Sequence, residues 1–71
     1  MVRLNGTEYA HRPGMSLKEL VGNYNADSGK QLAFDGFVVL VNGAALTVSQ
    51  AQERTLQDND KIFIVPLLEG G

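Results

Sequence analysis

A chain of 71 residues with no cysteine, and with six lysines and arginines against eight aspartates and glutamates for a net charge of −2, makes one small domain with a modest core and no disulfide to brace it. The missing thiol excludes cysteine nucleophiles, thiolate metal sites and redox motifs, and the slight acidity without any lysine or arginine cluster argues against nucleic acid as a partner. The start of the chain has no apolar signal core, and the longest apolar runs, 37–41 and 62–68, are too short to cross a bilayer, so a soluble cytoplasmic protein with no membrane partner is expected.

Val2 and Leu4 alternate with Arg3 before Asn5-Gly6, a dipeptide suited to a type I′ hairpin because both central residues need positive φ. A return strand from Thr7 to His11 then places Leu4 opposite Thr7, Arg3 opposite Glu8 and Val2 opposite Tyr9. The glycosylation pattern Asn5-Gly6-Thr7 is read as part of that turn.

After the break at Arg12-Pro13-Gly14, Ser16 and Glu19 have capping-box spacing, and Met15 and Leu20 stand where a hydrophobic staple would. Leu17, Leu20, Val21 and Tyr24 recur at helical spacing, so a short amphipathic helix is expected, with Gly22 near its end. The stretch from Asn25 to Gly36 reads as a connection anchored by Leu32 and Phe34.

Phe37 to Val41 is apolar at every position, which requires either cover on both faces or one face left for a partner. Ala44 to Leu56 is polar and weakly patterned, so little regular structure is expected there, with Leu46, Val48 and Leu56 pointing inward. Gln57-Asp58-Asn59-Asp60 is a turn with Asn59 left-handed, and it opens a final strand, Lys61 to Val65, after which Pro66 is expected to free the chain from the sheet. The sum is an α+β domain with one helix across a sheet.

The end of the sequence, Pro66-Leu67-Leu68-Glu69-Gly70-Gly71, suggests a working terminus, since glycine without a Cβ can pass where side chains would clash. Residues 35 to 71 carry five carboxylates against two cations, a balance of −3 that reads first as an ordinary solvated surface and otherwise as favouring a basic partner. His11 has no partner at catalytic spacing and reads as a surface strand residue, while Asp58 and Asp60 offer too few ligands for a metal and read as caps of the bend. Tyr9 and Tyr24 read as residues at the edge of the core.

Leu4-Asn5-Gly6, Ser16-Leu17-Lys18-Glu19-Leu20, Val39-Leu40-Val41-Asn42-Gly43, Leu56-Gln57-Asp58-Asn59-Asp60-Lys61-Ile62 and Gly70-Gly71 together resemble the ubiquitin-like sulfur carriers of the ThiS/MoaD family over essentially the whole chain. The resemblance implies a β-grasp fold: a mixed sheet of four to five strands with one helix packed across it, residues 1–66 forming the domain and 67–71 a flexible tail. It also implies a carrier that is not itself an enzyme and binds no cofactor. A partner adenylating enzyme uses ATP to activate the Gly71 carboxylate, a sulfur donor such as a cysteine desulfurase converts it to a thiocarboxylate, and a synthase accepts the sulfur.

In that scheme Gly71 bears the acyl carbon, Gly70, Glu69, Leu68, Leu67 and Pro66 deliver it, and Phe63, Val65, Val38 and Leu40 form the docking patch, although period-two faces leave a core role for these four equally open. The fifteen residues from Asn42 to Leu56 resemble the thiamine-biosynthesis carriers, whose acceptor is a thiazole synthase. Val65-Pro66 resembles the molybdopterin carriers and certain cysteine-biosynthesis carriers. Asn59 and Glu69 depart from the family's usual glycine and small uncharged residue. A ubiquitin-like modifier conjugated through Gly71, and a plain interaction module, are the other readings.

Overall fold

The computed structural model describes residues 1–67. Five strands and two helices follow in the order β1 (Val2–Leu4), β2 (Thr7–Tyr9), α1 (Leu17–Ser28), β3 (Phe37–Val41), β4 (Ala44–Leu46), α2 (Val48–Glu53) and β5 (Lys61–Pro66). The sheet order is β2-β1-β5-β3-β4. Strand β5 is parallel to β1 and antiparallel to β3, so the last strand in sequence lies at the centre of a mixed sheet. This is the β-grasp arrangement.

The first hairpin has the register that its two-residue turn dictates, with Val2, Arg3 and Leu4 opposite Tyr9, Glu8 and Thr7. Asn5 and Gly6 both have positive φ, at 49° and 86°. The return strand stops at Tyr9, short of the expected His11, because its partner β1 begins at Val2, opposite Tyr9; beyond it the chain bends, with the Met15 N–H donating to the Arg12 carbonyl.

Helix α1 opens on Ser16, whose Oγ accepts from the Glu19 N–H at 3.1 Å. The reciprocal half of the box is absent, since the Glu19 carboxylate pairs with Arg12 instead. Gly22 does not end this helix. It continues for twelve residues to Ser28 and stops at Gly29, which takes the left-handed conformation and donates its N–H to the Asn25 carbonyl at 2.9 Å. Residues 25–28, expected in a connection, are its last turn.

The segment after β3 is more regular than its composition suggests. Ala44–Leu46 pairs with β3, and α2 follows with a complete capping box: Thr47 Oγ1 accepts from Gln50 N at 3.1 Å, and Gln50 Oε1 accepts from Thr47 N at 2.9 Å. Only Ala51 of α2 is buried, and Val48, expected inward, is 39% exposed. Leu56 is buried as expected and Leu46 is half-buried.

The core lies between one face of the sheet and the two helices, with Val2, Leu4, Val39, Val41, Ile62 and Ile64 meeting Leu17, Leu20, Val21, Tyr24 and Ala51. Phe34 is buried and Leu32 packs on the core from outside, as the sequence indicates. Tyr24 is in the core and Tyr9 packs against it. Both helices cover the same face, which leaves the other face of the sheet open.

Candidate functional site: the open sheet face and the end of the central strand

Alternation along β5 decides which residues are available to a partner. Ile62 and Ile64 are each 1% exposed, whereas Phe63 and Val65 are 51% and 47% exposed. Register then carries the assignment across the sheet. Leu40 is opposite Phe63 and Val38 is opposite Val65, and both are half-buried. Ala45 of β4 continues the row beyond Leu40. The four residues Phe63, Val65, Val38 and Leu40 therefore form one apolar patch on the uncovered face, and the alternative that they belong to the core is excluded.

The patch has a polar border at one end. On the same face lie Arg3 and Glu8, paired through Arg3 Nε and Nη2 to Glu8 Oε1 at 3.1 and 2.6 Å, with Lys61 the parallel-register neighbour of Arg3. At the other end β5 leads to the end of the chain. The sequence expectation released the chain at Pro66, but Pro66 still pairs with Phe37, and the Leu67 N–H donates to the Gly36 carbonyl at 2.9 Å. Proline's missing N–H is tolerated at the end of the strand, where the next residue makes the bond. Leu68, Glu69, Gly70 and Gly71 lie outside the described residues.

Strand β5 is held in place by buried polar contacts at its start. Asp60, 5% exposed, accepts from Gln57 N at 2.8 Å, Asn42 Nδ2 at 2.9 Å and Arg54 Nη2 at 3.4 Å. Burial pushes its carboxyl up, but these donors more than offset that and hold it below the usual carboxylate value. Asn59 is left-handed at φ 71°, as the turn requires. Asp60 caps the bend as expected, and Asp58 is exposed beside the Met1 amino group. No group of three or more potential metal ligands occurs among the described residues. His11 is not on a strand: it is half-buried, with Nε2 2.9 Å from the Leu56 carbonyl oxygen. That contact makes it a structural tie between the segment after β2 and the turn before β5.

The described residues thus form a β-grasp sheet with its last strand at the centre and an apolar open face. The sequence model of the ThiS family matches residues 2–71. The chain belongs to the ThiS family. No curated protein matches it significantly. Members of the ThiS family are small sulfur carriers of the ThiS/MoaD type, and membership implies an adenylating enzyme and a sulfur-accepting synthase as partners in general terms. No helix among the described residues is long and apolar enough to cross a membrane.

The sequence marked Phe63, Val65, Val38 and Leu40 but could not choose their face, because a strand with apolar residues at every position gives no alternation to read. It passed over Arg3 and Lys61 as site residues. Their signal was available only through register: both stand at outward positions one step from the apolar row.

Proposed function

We propose that this ThiS-family protein carries sulfur as a thiocarboxylate on Gly71 and gives it up in the assembly of the thiamine thiazole. A carboxylate is an anion near neutral pH and a poor electrophile, so it must first be activated. Its oxygen attacks the α-phosphorus of ATP on a partner enzyme, pyrophosphate leaves, and the acyl adenylate forms. The terminal sulfur of a protein persulfide, supplied by a donor such as a cysteine desulfurase, attacks the acyl carbon and expels AMP. A thiol then cleaves the resulting acyl disulfide, is itself oxidised to a disulfide with the donor, and leaves the thiocarboxylate. Its sulfur is a nucleophile for the acceptor synthase.

The carrier contributes placement to these steps. Phe63, Val65, Val38 and Leu40 dock, Pro66 ends the strand, and Leu67 through Glu69 lead from it to the terminal glycines. Gly70 lets the backbone approach a catalytic centre closely because it has no Cβ. The observation that carries this reading is that Phe63 and Val65 stand outward on the central strand that precedes the terminal glycines in sequence, beside Leu40 and Val38 of β3, within a chain that matches the ThiS family from residue 2 to residue 71. The thiazole as destination rests on the fifteen residues from Asn42 to Leu56, which accommodate both β4 and α2 and resemble the thiamine carriers.

Intact mass spectrometry of untagged protein from its native host tests the carrier. The expected result is a species heavier by the exchange of one oxygen for sulfur, lost when Gly70 and Gly71 are deleted. Only unmodified protein, persisting after incubation with ATP, the host's adenylating enzyme and a sulfur donor, would overturn it. Higher-mass conjugates in cell extract would instead indicate a modifier. Sulfur transfer in vitro to a thiazole synthase, but not to a molybdopterin synthase large subunit, tests the destination.

A further inference from the structure

The open face is not uniformly apolar, and its charged end has an unbalanced composition. Arg3 and Lys61 are register neighbours on adjacent parallel strands, so two cations stand side by side. Like charges in that relation repel, and a nearby carboxylate relieves the repulsion for one of them. Glu8 does this for Arg3, holding it through two contacts to one carboxylate oxygen. Lys61 makes no ion pair among the described residues. A chain of net charge −2 thus presents a positive point on the strand that also carries Phe63 and Val65.

The shape beside Lys61 is also suited to a side chain from outside. Arg3, Gly6, Lys61, Ile62 and Phe63 line a recess of about 270 Å³. Gly6 contributes no side chain to it, and a Cβ built there would meet nothing within 4 Å. The hairpin turn, required to be compact by its positive φ angles, leaves room between itself and the Phe63 ring. Its lining combines the cations Arg3 and Lys61 with the aromatic Phe63.

We infer that the protein partner seated on the open face places an aspartate or glutamate in the recess between the Asn5-Gly6 turn and Phe63, with its carboxylate opposite Lys61. This rests on the docking role given above to Phe63, Val65, Val38 and Leu40 and names the charge that the partner must bring to them. Apolar contact supplies the area. Lys61 supplies register and selection, because a partner with a neutral or basic residue at that point leaves the Lys61 charge uncompensated beside the Arg3–Glu8 pair. The partner as a whole can be basic toward the acidic half of the carrier and still be acidic at this point.

The test is ATP–pyrophosphate exchange catalysed by the adenylating enzyme of the same host, with carrier concentration varied. Lys61→Glu raises the KM for carrier about tenfold with kcat unchanged, Lys61→Gln gives a smaller rise, and Lys61→Arg restores the wild-type value. The KM of the wild-type protein increases with added salt more steeply than that of Lys61→Gln. Lys18→Glu, the same charge reversal on α1 of the covered side, is the control and leaves KM unchanged. If the Lys61 variants behave like Lys18→Glu while Phe63→Ala raises KM, the docking face stands and the acidic contact is overturned. If Phe63→Ala is also silent, the docking face itself fails, and absence of exchange with the wild-type chain would remove the activation reading as well. A reversible dimer of the carrier alone, dispersed by Lys61→Glu in sedimentation, would assign the recess to a second copy and overturn the inference.

Discussion

The side chain of Asn5 and the backbone of Ile64 form a closed pair of hydrogen bonds: Asn5 Nδ2 donates to the Ile64 carbonyl at 3.0 Å, and the Ile64 N–H donates to Asn5 Oδ1 at 2.9 Å. The amide imitates one more residue of β1 where that strand has already turned away. It thereby satisfies both backbone groups of a residue at the middle of β5. The same residue holds the left-handed turn position, so one asparagine shapes the hairpin and extends the ladder. Asn42 plays a similar double part, left-handed at φ 53°, with Oδ1 accepting from Lys61 N at 2.9 Å and Nδ2 donating to Asp60.

Asn5→Gly keeps the turn and removes both amide contacts, so it separates the two roles. Leaving a buried carbonyl and N–H without partners costs about 2 kcal/mol in total. Asn5→Ala adds the strain of an L side chain at φ 49° and should cost about 1 kcal/mol more. Urea melts of the three proteins check the order.

Asp60 gives the fold a dependence on acid. Its carboxyl is lower in the folded than in the unfolded chain, so its stabilising contribution is complete above the unfolded value of about 3.9 and disappears as pH falls through the lower folded value. Asp60→Asn retains an acceptor but carries no charge, and its stability should change less between pH 5 and the acid limb, about pH 3, than that of the wild type. Asp60→Ala strands the Gln57 N–H and the Asn42 amide and should cost about 3 kcal/mol at neutral pH. Chemical denaturation at a series of pH values measures both.

Phe63 and Ile64 are adjacent in sequence and opposite in consequence. Ile64→Ala opens a cavity under α1 and should cost about 3 kcal/mol of stability. Phe63→Ala loses a half-exposed cross-strand contact with Leu40 and should cost less than about 1 kcal/mol, while weakening activation by the partner enzyme. Thermal melts set beside the exchange assay distinguish a docking residue from a core residue.

Gly22 and Gly29 make a second pair of opposites. Gly22 is in the exposed interior of α1, and a Cβ there meets nothing within 4 Å, so Gly22→Ala should stabilise the protein by about 0.7 kcal/mol with sulfur loading unchanged. Gly29 caps the same helix at φ 73°, and Gly29→Ala should destabilise by about 1 kcal/mol. Differential scanning calorimetry resolves shifts of opposite sign.

These pairs also explain what could be read from the sequence. The register of the first hairpin was legible because a two-residue Asn-Gly turn leaves only one. The end of α1 was misplaced because Gly22 has the composition of a stop, while the stop itself needs a left-handed residue with its N–H returned to the helix, which Gly29 provides. Helix α2 buries a single alanine and so has no apolar stripe, yet Thr47 and Gln50 stood at capping-box spacing and could have marked it. The face taken by Phe63 became visible only with the strand order, and the Asn5–Ile64 pair joins residues 59 positions apart, beyond any local pattern.

The central place of β5 also bears on synthesis. Strands β1 and β3 have no shared partner until β5 lies between them, so a chain emerging from the ribosome cannot close its sheet before nearly all of it has been made. The outward row of Phe63 and Val65 comes into being in that same closing step. If that row docks as proposed, a protein interrupted before β5 presents an activating enzyme with only part of the surface, and recognition there doubles as an inspection for completeness.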